Sequence, residues 1–313
     1  MKILLCATFL IIMSALVFLP YCHCADEKSG CLTGAFISDN PTREDIENFK
    51  NLYGKKPFFV MVFAGWGDLI SKEVIEDVYA EGSLLMVTWE PWNMATQKAI
   101  DYDWVLSGEY DNYIEAFAKR LKTAGKPVFI RFAHEMNGDW YPWCGTKIGK
   151  EKYIALYRYV KDKFDAAGVK DAKWVFSINW EDVPKEGNSF IAYYPGDRYV
   201  DFVGIDGYNW GNAKSWSKWR SFKEIFEDRL DEAARAFNKP IIISEFSSTS
   251  SGGDKALWIK EALSYIRAGE DVYAFVLFNV DKETDWSFSS DTNSGKELKL
   301  QLRDRHFLES AHF

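Results

Sequence analysis

Disulfide-forming and metal-binding residues are scarce in this chain. Of its 313 residues, five are cysteines and four are histidines. Three of the cysteines fall within the first 24 residues, so Cys31 and Cys144 are the two that follow. This number excludes a fold held together by several disulfides, and so few histidines argue against a histidine-rich zinc centre.

The chain also lacks the short motifs of several enzyme classes. It contains no Gly-x-Gly-x-x-Gly, no phosphate-binding loop and no Gly-x-Ser-x-Gly elbow. The usual dinucleotide, nucleoside triphosphate and serine hydrolase sites are therefore excluded. His134-Glu135 begins like the helix of a zinc protease, but Gly138 stands where that motif requires a second histidine. We expect no metal and no cofactor.

Positive charge is in deficit. Lys and Arg total 38 against 46 Asp and Glu, which gives a formal net charge of −8. A surface of this sign repels nucleic acid and anionic lipid. We expect a neutral substrate, no nucleic-acid partner, no membrane contact after processing, and a monomer.

The first 24 residues have the pattern of a secretory signal peptide. Lys2 precedes an apolar run over 3–19, and small residues precede a predicted cleavage point after Cys24. We expect cleavage there, which leaves 25–313 as one catalytic domain of a secreted protein, extracellular or periplasmic. A retained membrane anchor is the alternative, because the run is near the lower limit of about 17–25 residues for a span.

Eight strand signals follow, and most are separated by a helical pattern. The predicted strands are 33–37, 58–63, 83–88, 127–130, 173–178, 201–205, 240–244 and 272–278. This alternation predicts a single α/β domain, a (β/α)8 TIM barrel. A doubly wound open sheet is the alternative, but its glycine motif is missing. In a barrel, Cys31 and Cys144 lie near opposite faces, so we expect no disulfide between them.

Polar and aromatic residues cluster where the predicted strands end. The C-terminal ends of barrel strands form the rim that carries active sites. Eight of the 13 tryptophans lie at or just past these ends: Trp66, Trp89, Trp92, Trp140, Trp143, Trp180, Trp210 and Trp286. Flat indole faces match sugar rings in shape, so we expect a carbohydrate to stack on this rim.

Two glutamates directly follow strands that lie across the barrel from each other. Glu135 follows the fourth strand and Glu245 follows the seventh. Cleavage of a glycosidic bond needs two carboxyl groups, one on each side of the bond. A structural ion pair with Arg131 is the alternative interpretation. That pair is also compatible with catalysis, because a nearby cation keeps a nucleophilic carboxylate ionised.

Several strings in this order resemble glycoside hydrolase family 26, a β-mannanase family that also includes lichenase-type and β-1,3-xylanase members. The strings are RFAHEMNGDWYPW at 131–143, WEPW at 89–92, YPGD at 194–197, GIDGYNWG at 204–211, ISEF at 243–246 and KETDW at 282–286. One such string is weak, whereas several in the right order are specific.

The resemblance implies the same barrel, with the catalytic pair at the C-terminal ends of strands four and seven. It implies that Glu135 is the acid/base and Glu245 the nucleophile. Arg131 and Tyr208 would hold the nucleophile, and His134 would contact the bound sugar. Trp140 would form part of the substrate platform. The other substrate-binding candidates on the rim are Trp66, Trp89, Trp143, Trp180 and Trp286.

The substrate depends on the last residues of the first string. Trp140-Tyr141-Pro142-Trp143 differs from the Trp-Phe-Trp-Trp-Gly of typical mannanases and is more similar to lichenase-type members. We expect a retaining endo-β-glycanase that cleaves β-1,4 linkages in mixed-linkage β-glucan or β-mannan. A β-1,3-xylanase stays open, and so does a carbohydrate-binding protein that has lost catalysis.

Overall fold

The computed structural model describes residues 30–122, 125–269, 271–289 and 292–311, so the predicted signal peptide lies outside it. Eight parallel strands close into a barrel, because the eighth pairs with the first. The (β/α)8 prediction is therefore confirmed. We number the barrel strands β1 to β8: Cys31–Phe36, Phe59–Gly65, Leu84–Glu90, Val128–Phe132, Ala172–Asn179, Phe202–Asn209, Ile241–Ser248 and Val272–Phe278.

Helices cover the outside of the barrel. In the described ranges, α1 to α9 are Arg43–Tyr53, Lys72–Ala80, Tyr102–Ser107, Asp111–Lys122, Gly145–Ile148, Lys150–Ala166, Phe222–Ala236, Lys255–Ala268 and Asn293–Leu302. Helices α1 and α7 each begin with a capping box, in which a hydroxyl and a carboxylate satisfy exposed amides reciprocally. None of the helices described is long and apolar enough to cross a membrane.

Alternation along each strand divides the apolar side chains between two layers. Met86 of β3 and Phe129 of β4 lie in the cluster that fills the barrel, whereas their neighbours Val87 and Ile130 lie in the cluster between sheet and helices. Successive side chains on a strand point to opposite faces, which produces this division. The same alternation decides which polar residues near the strand ends reach the barrel interior.

Strand β7 contains one extra residue, and this irregularity places the second glutamate. Ile243 pairs with Ile205 of β6, but the next residue of β6, Asp206, pairs with Glu245. Ser244 is thus inserted, and both Ser244 and Glu245 point into the barrel, where each bonds an interior residue. Strict alternation after an inward Ser244 would direct Glu245 outward toward the helices, and the bulge at Ser244 instead keeps Glu245 inward.

The two cysteines beyond the predicted signal are both buried and are not joined to each other. Cys144 carries a free thiol at the start of α5, whereas Cys31 opens β1 at the other end of the barrel. The expectation of no bridge between them is confirmed. The predicted β6 and β7 were too short, since pairing continues to Asn209 and Ser248.

Candidate active site

Arg131 is fully buried inside the barrel and joins two carboxylates. Its Nη1 donates to Oε1 of Glu245 over 2.8 Å, and its Nη2 donates to Oδ2 of Asp206 over 2.6 Å. Its Nε donates to Oγ of Ser177 over 3.1 Å. A buried cation needs such partners, because removing one member of a buried pair costs about 3–5 kcal/mol.

The carboxylate of Glu245 is held from two directions. Tyr208 of β6 donates its hydroxyl to Oε2, while Arg131 occupies Oε1. Charge-assisted hydrogen bonds of this kind are strong and directional. The side chain of Glu245 is thus fixed beside a positive charge and is 5% exposed.

Asp206 completes the buried network. Its Oδ1 accepts a hydrogen bond from Ser244 over 2.6 Å, and its Oδ2 accepts one from Arg131. Burial raises the pKa of Asp206 to about 7, with Arg131 opposing the rise and the charge of Glu245 adding to it. Gly204 leaves room for this network, because a Cβ there would lie 2.5 Å from Oγ of Ser244.

The chain turns sharply after β4 before it presents Glu135. Ala133 and Glu135 have φ angles of 49° and 54°, in the left-handed region that residues other than glycine rarely adopt. Each such residue costs about 1–3 kcal/mol. The amide of Ala133 donates to the carbonyl of Trp89 over 3.0 Å, and that of Glu135 to the carbonyl of Ser177 over 2.8 Å. The adjacent strands β3 and β5 hold the turn.

Trp143 supports the same turn from behind. Its Nε1 donates to the carbonyl of His134 over 2.7 Å, while the thiol of Cys144 bonds the carbonyl of Glu135. Trp143 is fully buried and stacks on Tyr141, with ring centres 4.3 Å apart. Its assignment to substrate binding is corrected, because no face of the indole is open to a sugar.

Glu135 has a raised pKa and accepts a hydrogen bond from a partly exposed tryptophan. Its Oε2 accepts a hydrogen bond from Nε1 of Trp140 over 2.8 Å, and Trp140 is 42% exposed. Burial raises the pKa of Glu135 well above its ordinary value, and the charges of Asp206 and Glu245 add to this. The Trp140 bond and Arg131 oppose the rise. A raised pKa favours the protonated form of the carboxyl, which is the form that can act as a general acid.

His134 and Tyr141 line the site as neutral groups. Burial lowers the pKa of His134 well below its ordinary value, and the charges of Arg131 and Lys282 add to this. Burial, with the charge of Glu135, raises the pKa of the Tyr141 phenol. Neutral donors and acceptors suit the hydroxyl groups of a neutral sugar. The sequence prediction assigned no role to Tyr141, although it lies inside the string 131–143.

Glu90 is a third carboxyl beside the cleft. It ends β3 with its side chain directed inward, is 3% exposed, and accepts a hydrogen bond from Nε1 of Trp92 over 2.9 Å. Burial raises its pKa to about 7, which the Trp92 bond and Lys282 partly oppose. Glu90 lies within the string WEPW at 89–92, and the sequence prediction gave it no role.

Trp89 and Trp66 do not belong to the rim. Trp89 is fully buried and stacks on Phe117 of α4, with ring centres 4.2 Å apart. Trp66 stacks on the other side of Trp89 at 5.0 Å. These stacked rings lie between the sheet and the helices, because alternation along β3 directs Trp89 outward and Glu90 inward. Their assignment to substrate binding is wrong.

Two further tryptophans of the prediction lie near the rim. Trp286 is 1% exposed and packs on Tyr208, with ring centres 4.8 Å apart, so it supports that tyrosine and presents no open face. Its assignment to direct substrate binding is corrected. Trp180 is partly exposed after β5, with the guanidinium of Arg220 5.2 Å from its ring centre.

One group of side chains has the residue types of a metal site. Ligand atoms of His134, Asp206 and Glu245 lie within 4.8 Å of one another. Arg131 already donates to both carboxylates, however, and a divalent cation among them would be repelled by its buried charge. The donor set therefore fits a guanidinium–carboxylate network better than a metal centre.

The sequence profile of glycosyl hydrolase family 26 matches residues 85–273. The chain is 40% identical to Endoglucanase H of Acetivibrio thermocellus over 298 residues, which are 93% of this chain and 32% of that protein. It is 29% identical to mannan endo-1,4-beta-mannosidase of Bacillus subtilis strain 168 over 151 residues, 45% of this chain and 36% of that protein. The chain thus spans about a third of the length of these curated relatives.

Solved structures share the fold at low sequence identity. The GH26 domain of an endo-β-mannanase/endo-β-glucanase from Prevotella bryantii superposes with a TM-score of 0.67 at 14% identity, over 90% of each chain. A GH26 β-mannanase from Bacteroides ovatus gives a TM-score of 0.68 at 18% identity, over 90% of this chain and 91% of that chain. At these identities, the two comparisons show a shared barrel fold and nothing further.

Proposed function

The chain belongs to glycosyl hydrolase family 26, and on this premise we propose that it is a retaining endo-β-glycanase acting on plant cell-wall polysaccharide. One observation carries the proposal. Two glutamates enter the same cleft from β4 and β7, one with a raised pKa and one bonded by Arg131 and Tyr208. Retaining glycosidases need such a pair, an acid and a nucleophile in different environments.

Glu135 acts as the acid/base and Glu245 as the nucleophile. Glu135 donates its proton to the leaving glycosidic oxygen while an oxygen of Glu245 bonds the anomeric carbon and the C–O bond breaks. Glu135 then takes a proton from water as that water attacks the anomeric carbon, which releases the carboxylate of Glu245. Two inversions at one carbon retain its configuration.

Retention requires the two carboxyl groups to be about 5–5.5 Å apart. We expect proton NMR of a fresh digest to show the β-anomer first, with the α-anomer rising only by mutarotation. An α-anomer formed first would contradict the double displacement. Measured early in the reaction, this result is independent of which polysaccharide is preferred.

We propose mixed-linkage β-glucan as the preferred substrate and β-mannan as the second candidate, with cleavage at β-1,4 linkages. Support comes from the extensive similarity to an endoglucanase and from Trp140-Tyr141-Pro142-Trp143 after the acid/base. Similarity to a mannan endo-1,4-beta-mannosidase keeps mannan open. A further relative is a β-1,3-xylanase from Alcaligenes, 25% identical over 61% of this chain and 43% of that protein.

Release of reducing sugar from barley β-glucan, glucomannan, galactomannan and β-1,3-xylan tests the proposal in one assay. We expect activity on β-glucan above that on the mannans. No release from any polymer, with retained affinity in gel retardation, would instead support a binding protein without catalysis. The Glu245→Ala variant serves as the inactive control.

We further propose that residues 1–24 direct secretion and are removed, and that the enzyme works outside the cell or in the periplasm as a monomer. The apolar run with Lys2 before it supports this proposal. N-terminal sequencing of protein from the culture medium tests it. A chain that still begins at Met1 would contradict cleavage.

A further inference from the structure

Trp216 is an exposed aromatic residue on the β6–α7 loop. It is 71% exposed, more than any other large apolar side chain in the described part of the protein. A single exposed apolar side chain is ordinary, so what distinguishes Trp216 is the set of aromatic rings that it contacts. No role in catalysis accounts for it, since Trp216 lies outside the network around Glu135 and Glu245.

A continuous series of ring contacts connects Trp216 with the nucleophile. Trp216 lies 5.3 Å from the ring of Trp210, Trp210 lies 4.7 Å from Trp286, and Trp286 lies 4.8 Å from Tyr208. The hydroxyl of Tyr208 bonds Glu245. Trp210 also lies 6.3 Å from Tyr208, and both side chains are partly exposed, so the aromatic surface at Trp216 is an extension of the wall that holds Glu245.

The loop that carries Trp216 is fixed by its own hydrogen bonds. The hydroxyl of Ser217 donates to the carbonyl of Gly211 over 2.7 Å, and the amide of Asn212 donates to the carbonyl of Ser251 over 2.9 Å. Gly211 has a φ of 48°, and a Cβ there would lie 1.9 Å from the carbonyl oxygen of Ser251. The close approach of this loop to the one after β7 thus requires glycine.

Lys214 ties the same loop to the loop after β8. Its Nζ donates to the carbonyl of Glu283 over 3.1 Å and lies 5.7 Å from the ring centre of Trp210. Trp210 is thereby held between Lys214 and Trp286, while Trp216 contacts it at an interplanar angle of 59°. A rigid support and an open indole face are what a sugar-stacking site needs, because little order is lost on binding.

We propose that Trp216, supported by Trp210, forms a distal subsite that stacks on a sugar ring of the bound β-glycan, beyond the sugars that contact Glu135 and Glu245. This inference rests on the proposed function and extends it, since it makes the length of the substrate oligosaccharide a determinant of turnover. The occupant is a neutral, flat sugar ring of the same polymer, because the surface continues the wall of the cleft.

The test compares substrates of different length with Trp216→Ala, using mixed-linkage β-glucan and β-1,4-mannan oligosaccharides of three and six sugar units. We expect kcat/KM on the hexasaccharide to fall about 5- to 10-fold through KM, and that on the trisaccharide to stay within about 2-fold. Trp216→Phe should restore most of the loss, because it keeps an aromatic face. Equal effects on both lengths, or no effect on the hexasaccharide, would overturn the subsite.

Trp104→Ala is the matched control. Trp104 is 56% exposed on α3, but its ring contacts Tyr110, which packs on Trp66 between sheet and helices. We expect no length-dependent change in that variant. Binding of both hexasaccharides to Glu135→Gln, with and without Trp216→Ala, separates this inference from the proposed function. A 5- to 10-fold weaker Kd in the double variant supports the subsite even if the wild type hydrolyses neither sugar, and an unchanged Kd rejects it.

Discussion

The indole Nε1 of Trp140 donates a hydrogen bond of 2.8 Å to Oε2 of Glu135. Trp140 is partly exposed, whereas Glu135 is 8% exposed, so this bond stands at the boundary between solvent and the buried network. An N–H donor stabilises the ionised carboxylate, and it is one of two influences that lower the pKa of Glu135.

Trp140→Phe should move the alkaline limb of the pH–activity profile upward. The acid must be protonated for the first step, and loss of the indole donor raises the pKa of Glu135, so the active form persists to higher pH. We expect a shift of about 0.5–1 pH unit, since a partly exposed bond to a charged group is worth about 1 kcal/mol. Profiles of kcat/KM for wild type and variant measure it. A limb that moves downward would contradict this assignment of the acid.

The loss of activity in Glu135→Ala should depend on whether the leaving group of the substrate needs a proton. We expect kcat on polysaccharide to fall about 10²–10⁴-fold, whereas aryl glycosides with acidic phenols keep most of their rate of glycosyl-enzyme formation. Pre-steady-state release of the phenol measures that step. Added azide should accelerate turnover on such substrates by replacing water as the attacking group. Equal losses on both substrates would contradict the acid/base role.

Tyr208→Phe should lower kcat on polymer by about 10²-fold, because one of the two donors to Glu245 is lost. Tyr113→Phe is the control, since its hydroxyl bonds the carbonyls of Gly65 and Asp68 and not the catalytic network. We expect that control to keep kcat. Steady-state kinetics with both purified variants measures the difference, and a similar kcat loss in both would assign Tyr208 a general structural role.

Truncation of Trp89 should mainly lower stability, whereas truncation of Trp140 should mainly impair turnover. Trp89→Ala opens a cavity beside Phe117 and should lower the free energy of unfolding by about 3–5 kcal/mol, with KM nearly unchanged. Trp140→Ala should change stability by less than about 1 kcal/mol and impair turnover. Urea unfolding and kinetics measure both effects. Trp89→Phe, which leaves a smaller cavity, provides the comparison if the alanine variant is too unstable to purify.

The barrel and the positions of Glu135 after β4 and Glu245 on β7 could be predicted because strong local patterns encode them. Strand-like runs mark each barrel strand, and a charged residue after a buried strand marks the rim. The tryptophans were misassigned because the prediction used their position along the chain and did not consider the face of the sheet to which each side chain points. On β3, the inward places go to Thr88 and Glu90, so Trp89 must face the helices. Alternation, counted residue by residue, would have shown this.

Other features depend on contacts between distant segments, and no local pattern predicts them. The left-handed backbone at Glu135 is stable only because β5 and Trp143 bond the turn. The network through Asp206 needs Ser177, Ser244 and Gly204 from three different strands. The short helices α3 and α5 follow from the course of their loops and were not predicted.

The extra residue in β7 gives the barrel interior two neighbouring side chains from one strand, which strict alternation does not allow. Ser244 uses the first of these places to donate to Asp206, and Glu245 uses the second to bond Arg131. Deletion of Ser244 would restore strict alternation with Glu245 still inward and Phe246 still outward, where it packs on Trp258 of α8. A single-codon deletion would thus spare the position of Glu245 and remove a hydroxyl donor from the buried Asp206.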